Sequence, residues 1–473
     1  MIYGSALGIS KAVSLLMVPV FTRFLEPADY GRLDILQTLA DLFSIVIGLG
    51  LADTLFRFSG AAKSEQERRR VAANIFGMAL VVGVVSLILT QLAAPAIAAA
   101  LPGGVTVIQT RLILGNLALG GIMLVSLSML RMLDFAGWFF AGSVGWVVIQ
   151  AALGVLLLSL GFGITGVLAA GLTGAMLLAV ALIVWQLRHT GVRLEAGKCR
   201  EFAAYGAPLI FVGISGFVLG SFDRWILADA VGAARMAEYT LAAKFGLITA
   251  VLIQPFDLWW LPRRFAVLGE PGGAERIAGT IGIGVTIVVI AAVCVATAGP
   301  ILIGLLTPES YHGAIRYVPW MALIAALHST TTMFNIGCYS GRTTTWPVVI
   351  DGVAAVVAAT GYFLLIPRFG AHGAIAATVL ALGLRLLATY WISQTVVRLP
   401  YPVFRLFLVA LAGIGVITAM QMLSASGSLI AAGTAGIVGL ALFAAALRLM
   451  PLPASLIRRA LAPQGNDTSG HYD

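Results

Sequence analysis

Residues 278–306 read AGTIGIGVTIVVIAAVCVATAGPILIGLL, a run with no Asp, Glu, Lys or Arg. A helix rising ~1.5 Å per residue needs about 20 such residues to cross ~30 Å of hydrocarbon. Comparable stretches recur from the first residues to about Met450 with only short breaks. Fourteen spans are expected, near 4–25, 31–57, 71–99, 107–130, 138–160, 164–187, 203–227, 238–261, 278–306, 319–340, 347–366, 374–397, 406–423 and 428–448. A transmembrane β-barrel would show short alternating segments instead. The fold class is all-α integral membrane.

Composition agrees. Sixty per cent of the 473 residues are hydrophobic and 10% charged, against about 25% charged in soluble domains. The length alone would suggest roughly three soluble domains, but the apolar runs override it. Breaks such as Glu26-Pro27-Ala28-Asp29, Leu101-Pro102-Gly103-Gly104 and Thr307-Pro308-Glu309 combine Pro or Gly with polar residues, as turns require. The first apolar run has no clear small-residue cleavage site, so no cleavable signal peptide is expected.

The net charge of +9 and pI of 9.7 would point to nucleic acid in a soluble protein. Here the excess sits in alternate short loops, so no nucleic-acid partner is expected. One set holds Lys63, Arg68, Arg69, Arg70, Arg131, Arg188, Arg193, Lys198, Arg200, Arg263, Arg264, Arg276, Arg342, Arg398 and Arg405, with Arg458 and Arg459 in the tail. The opposite loops hold little beyond Arg32, Arg235, Arg316 and Arg368. The positive-inside rule then places both termini in the cytoplasm, which requires an even number of spans. Cys199, Cys294 and Cys338 are widely spaced and show neither a metal-ligand pattern nor a disulfide framework.

A weak internal repeat follows. Phe21-Thr22-Arg23-Phe24-Leu25 precedes Asp29-Tyr30-Gly31, and Phe222-Asp223-Arg224-Trp225-Ile226-Leu227 precedes Glu238-Tyr239-Thr240. In each, a span closes on an Arg and a Tyr opens the next. Parallel repeats of six spans would be a transporter architecture with substrate bound between two lobes. Short similarities of this kind also arise by chance.

These residues carry a resemblance. The stretch Pro19 to Gly31 resembles the first-hairpin signature of bacterial polysaccharide flippases, the polysaccharide transporter family of the multidrug/oligosaccharidyl-lipid/polysaccharide exporter superfamily. Gly48-Leu49-Gly50 through Arg57-Phe58 resembles the end of that family's second span, and Pro208 through Leu227 its seventh. Pro255-Phe256-Asp257-Leu258-Trp259-Trp260-Leu261-Pro262 resembles the cytoplasmic end of the eighth. The resemblance implies two six-helix lobes around a central cavity, 1–200 for helices 1–6 and 201–400 for helices 7–12. Residues 401–450 would hold helices 13 and 14, and 451–473 a cytoplasmic tail. It further implies a flippase that moves a polyprenyl-pyrophosphate-linked oligosaccharide across the bacterial inner membrane by alternating access.

A charge at mid-membrane costs about 2.5–3.5 kcal/mol on insertion scales, so each one needs an explanation. Lys11 lies roughly 10 Å into the first span, and Lys244 is about as deep from the other side. Arg23 and Arg224 fall near the outer ends of their spans and Arg57 near the inner end of the second. On one reading Lys11, Arg23, Arg57, Arg224 and Lys244 line a cavity and hold a pyrophosphate, bidentately for guanidinium and as a point charge for ammonium. On the other, the arginines snorkel to the interface; the two lysines are too deep for that. Arg111 and Arg385 fit snorkelling or packing better. Asp41, Asp351 and His328 are candidates to couple transport to an H+ or Na+ gradient, the alternative being an internal ion pair or hydrogen bond. Asp223, adjacent to Arg224, points to another helix face.

No catalytic constellation, metal cluster or cofactor motif stands out. Gly161-Phe162-Gly163-Ile164-Thr165-Gly166 lacks the strand–turn–helix context of a phosphate loop. Gly213, Gly216 and Gly220 suit close helix packing. Expected partners are lipid-linked oligosaccharide, membrane lipid and a polysaccharide polymerase with other assembly proteins. A drug/cation antiporter would want an acidic cavity. A lipid II flippase would share the cationic one. A membrane polymerase would carry a large outer loop, and every outer loop here is short.

Overall fold

The computed structural model describes residues 2–48, 50–340 and 345–424. Every regular element among them is helical. In order these are α1 (Ile2–Phe24), α2 (Pro27–Gly48), α3 (Leu51–Gly60), α4 (Glu65–Ala100), α5 (Val107–Met132), α6 (Ala136–Ser159), α7 (Gly163–His189), α8 (Ala196–Gly220) and α9 (Asp223–Val231). There follow α10 (Ala233–Trp260), α11 (Arg264–Leu268), α12 (Gly273–Leu306), a 3-10 segment (Glu309–Tyr317), α13 (Val318–Phe334), α14 (Ile336–Tyr339), α15 (Thr345–Phe369), α16 (Ala371–Val396) and α17 (Val403–Ser424).

Among the described residues, ten helical stretches are long and apolar enough to cross a membrane. α1 and the shorter α13 and α17 supply the remaining expected spans up to Ser424, so the protein is a multi-pass membrane protein. The span expected at 428–448, the tail 451–473 and Arg342, Arg458 and Arg459 lie outside the described residues.

Local chemistry sets the helix ends. The Ser64 hydroxyl accepts the Glu67 amide at 3.1 Å, and the Glu67 carboxylate accepts the Lys63 amide at 2.9 Å, starting α4. Thr106 and Gln109 form a reciprocal capping box at the start of α5. Gly103 and Gly104 both take positive φ in the expected turn, whose Gly103 carbonyl accepts Arg32 Nε at 2.8 Å.

Three expected spans are broken, the one at 319–340 falling into α13 and α14 at Asn335. The stretch read as a single helix over 31–57 is α2 and α3, parted at Gly50, which takes the left-handed φ of 60°. A Cβ there would stand 2.8 Å from Leu209 Cδ1 and 3.3 Å from the Gly206 backbone, so only glycine allows α3 to approach α8. The seventh span, expected over 203–227, ends at Gly220 and restarts as α9, so Arg224 sits in the first turn of a short helix.

The chain divides into two compact units. Unit 1 comprises 1–241, 306–314 and 351–381; unit 2 comprises 242–305, 315–350 and 382–473. In lipid, helices associate through van der Waals packing and small residues, because the tails are as apolar as the side chains. Unit 1 has one core of Leu51, Leu55, Phe76, Met129 and Phe202, where α3, α4, α5 and α8 meet. A second core of Met123, Leu130, Phe139, Ala175 and Leu182 joins α5, α6 and α7. Gly213 packs on Ile45, whereas Gly216 and Gly220 face open space; packing explains the first glycine only. In unit 2, Gly337 lies against the Ser393 backbone, and its amide donates to the Ser393 hydroxyl at 2.9 Å.

Candidate functional site: two buried guanidinium groups

Inside unit 1, segments far apart in sequence meet around Arg224. The break at Ser221–Phe222 turns α9 so that Arg224 Nη1 lies 3.3 Å from Asp34 Oδ2 of α2. The Asp34 side chain is 2% exposed and that of Arg224 13%, so the pair is desolvated. The Thr240 hydroxyl of α10 donates to the same Asp34 oxygen at 2.9 Å. One residue along, the Tyr239 hydroxyl donates to the buried Asp223 carboxylate. The Trp225 indole donates to the Ile35 carbonyl at 3.2 Å. Tyr311 of the 3-10 segment donates to the Leu25 carbonyl at 2.7 Å.

Asp41 belongs to this neighbourhood. It is half-buried on α2, accepts from Gln37 at 3.5 Å, and lies within reach of Ser221 and the Arg224 charge. One guanidinium is therefore surrounded by three carboxylates, Asp34, Asp223 and Asp41. Tyr362, fully buried on α15, shares a hydrogen bond with Thr378 of α16 at 2.9 Å and lies close to the Asp223 carboxylate.

The other sequence candidates are placed as follows. Lys11 is exposed on α1, and Arg23 is exposed in the last turn of that helix. Arg57 is exposed on α3, its guanidinium 4.8 Å from the Tyr205 ring centre. These three share unit 1 with Arg224, while Lys244, half-buried on α10, belongs to unit 2. Asp351 is half-buried on α15. His328 is exposed on α13, with Nδ1 3.2 Å from Arg385 Nη1. A guanidinium carries only donors, so that ring nitrogen is the acceptor. Asp223 takes up Tyr239, on a face different from the Arg224–Asp34 contact.

Sequence reasoning missed a second buried guanidinium, in unit 2. Arg264, 7% exposed, opens α11 directly after the Pro255–Pro262 patch. Its Nη1 donates to Asn335 Oδ1 at 2.6 Å and to the Thr332 carbonyl at 3.5 Å. The Phe265 and Tyr339 rings stand 4.9 and 6.0 Å from its charge. It forms no ion pair among the described residues, and burial pushes its pKa below the usual arginine value. Nε of Arg264, the Trp260 indole N–H, the Tyr401 hydroxyl and one oxygen of Asp257 are buried without hydrogen-bond partners among the described residues. Tyr401 packs edge-on against Phe334 at 5.0 Å between ring centres, and burial raises its pKa. The signal that could have found Arg264 is its position beside a Trp-Trp pair. In sequence it reads as one more topogenic charge.

The connection between α7 and α8 is clamped to α4. Arg70 pairs with Glu195 at 2.5 Å, Asn74 Oδ1 accepts the Glu195 amide at 2.8 Å, and the Ala73 carbonyl accepts the Arg193 amide at 3.1 Å. Arg70, with help from Asn74, holds the Glu195 carboxyl down at about 2.

Comparison with known proteins gives these arrangements a family. Residues 1–263, more than half the chain, match the family described as polysaccharide biosynthesis protein. Among solved structures, the chain resembles the lipid II flippase MurJ in an inward closed conformation, with a TM-score of 0.67, 12% identity, and 98% of this chain and 99% of that one covered. It also resembles an inward-facing multidrug resistance MATE transporter of the MOP superfamily, with a TM-score of 0.61, 15% identity, and 82% and 97% covered. A MOP superfamily transporter from Pyrococcus furiosus, described as having a binding pocket of reverse polarity, gives a TM-score of 0.54 at 16% identity, with 82% and 92% covered. At such identities the likeness concerns the fold. No curated protein matches the chain in sequence. The chain has the all-α fold of these transporters and belongs to the polysaccharide biosynthesis protein family.

Proposed function

We propose that this protein is a flippase that carries a polyprenyl-pyrophosphate-linked oligosaccharide across the bacterial cytoplasmic membrane by alternating access, for exopolysaccharide, O-antigen or capsule assembly. The observation that carries the proposal is the family match over residues 1–263. The fold shared with solved transporters supports a transport role. A pyrophosphate cannot cross hydrocarbon unpaired. Lys11, Arg23, Arg57 and Lys244 are its proposed partners, with Arg264 added. Arg224 is already engaged by Asp34 and acts in the proposal by releasing that contact during the transport cycle. Asp41, Asp351 and His328 are the proposed routes for coupling to H+ or Na+. The lobes 1–200 and 201–400, both termini in the cytoplasm and cooperation with a polysaccharide polymerase belong to the same proposal.

Deletion of the gene tests it. Lipid-linked repeat units accumulate on the cytoplasmic face and surface glycan falls; normal glycan in a strain without a second copy contradicts the proposal. The fold shared with MurJ favours one competing cargo, the peptidoglycan precursor lipid II. A viable deletion strain with intact cell wall removes that alternative.

A further inference from the structure

Unit 1 contains a cavity of about 290 Å³ between α6 and α7, floored by Leu130 of α5. Its lining is almost entirely apolar, with three indole rings, Trp138, Trp146 and Trp185, interleaved with aliphatic residues and glycines. Gly145 and Ala181 leave the walls of α6 and α7 low, whereas Gly142 and Gly174 lie against Leu178 and Trp146 of the facing helices. A Cβ on Gly145 would meet nothing within 4 Å, so the space beside it is open. Trp138 at 67% and Leu177 at 55% exposure flank the mouth, on helices apolar enough to span the membrane.

One end of the groove is basic. Arg131 follows Leu130 and sets its guanidinium 5.5 Å from the Phe139 ring centre, next to Trp138. Arg188 lies in the last turn of α7, and the His189 ring stacks on Trp185 at 4.4 Å. Against these three stands one acid, Asp134, in the α5–α6 connection.

An apolar groove bordered at one end by two guanidinium groups and an imidazole is complementary to an amphiphile with a hydrocarbon tail and an anionic head. The volume holds about ten water-sized elements, hence about ten chain carbons in single file. That volume suffices for part of one chain and not for the paired chains of a diacyl lipid. Methyl branches would fill notches between indole rings that a straight chain leaves void, and void costs contact energy.

We infer that the α6–α7 groove binds the isoprenoid tail of a polyprenyl phosphate or pyrophosphate carrier, with the head at Arg131, Arg188 and His189. The inference rests on the flippase reading and adds to it a place for the tail.

The test uses the full chain in nanodiscs with a polyprenyl phosphate bearing a photoreactive diazirine in its tail. Crosslinked peptides are located by mass spectrometry, and flipping of a fluorescent lipid-linked oligosaccharide is measured on the same preparations. Label should fall within 130–150 and 174–185 and be displaced by unlabelled polyprenyl phosphate but not by phosphatidylglycerol. Gly145→Trp should lower it about tenfold, roughly the contact of two buried methylenes. Ala181→Phe, at an exposed lining position, fills the same space should the first variant fail to fold, and Gly145→Ala should retain labelling. Equal displacement by phosphatidylglycerol, or label unchanged in both filled variants while flipping persists, overturns the groove alone. A wild-type protein that flips no lipid-linked oligosaccharide overturns the flippase reading and the groove with it.

Discussion

Arg224 and Arg264 are both buried guanidinium groups, yet their surroundings differ in kind. Arg224 faces Asp34, with Asp223 and Asp41 close by, so its charge is more than matched. Arg264 has an amide oxygen, a backbone carbonyl and aromatic faces, and no carboxylate in ion-pair contact among the described residues. A buried charge without an opposite partner is costly and is retained where it meets charge from outside. Arg224 joins segments of unit 1, whereas Arg264, on whose charge Asp257 acts without ion-pair contact among the described residues, is on the proposed transport reading the group that meets an anion.

Breaking the Arg224 joint gives the largest expected effect. Asp34→Ala removes the one carboxylate in ion-pair contact with the buried Arg224 among the described residues and should cost about 3–5 kcal/mol of stability. Replacing both partners, Asp34→Leu with Arg224→Met, should restore most of it. Thermal unfolding in detergent reads both. A double variant as unstable as the single one would show that Arg224 and Asp34 matter separately. Arg264→Met removes a charged hydrogen bond and strands the Asn335 oxygen, about 1.5–3 kcal/mol, so it should be the milder stability variant. It should nonetheless be the more damaging one for glycan export once expression is equalised. Arg264→Lys should not rescue export, because a point charge does not replace a planar fork. Full export in Arg264→Met would end the distinction between the two arginines.

A smaller effect tests the backbone that brings unit 1 together. Gly50→Ala adds a Cβ at φ 60° and against Leu209 and Gly206, about 1–2 kcal/mol from the left-handed conformation alone. The smallest concerns the surface clamp at Glu195. Its carboxyl is depressed on folding to about 2, so its contribution is present above the ordinary value near 4.5 and fades as pH falls towards 2. Glu195→Gln should raise hydrogen exchange at 190–195 near pH 6 and narrow the wild-type difference at low pH. Pairing across solvent is weak, and added salt should erode the difference too.

How much of this was legible beforehand follows from what each feature depends on. Spans depend on local hydropathy, and thirteen of those expected have a helix at their place. The Gly50 break was hidden because glycine in an apolar run reads equally as a packing site, and the left-handed turn answers to α8, more than 150 residues away. The cost of a charge in the membrane draws attention to Arg224, but its partner Asp34 lies 190 residues earlier and no local signal connects the two. Arg264 was absorbed into the positive-inside pattern, since burial at a loop end leaves no trace in composition. His328 contacts Arg385, 57 residues away on α16, a pairing that no local pattern announces.

The central claim is transport of a lipid-linked glycan, and reconstitution addresses it most directly. Purified protein in proteoliposomes should expose a fluorescent polyprenyl-pyrophosphate oligosaccharide to an outside quencher faster than empty liposomes do, and Arg264→Met should lower that rate. No transfer of this lipid by protein that moves lipid II or an organic cation under the same conditions would contradict the account.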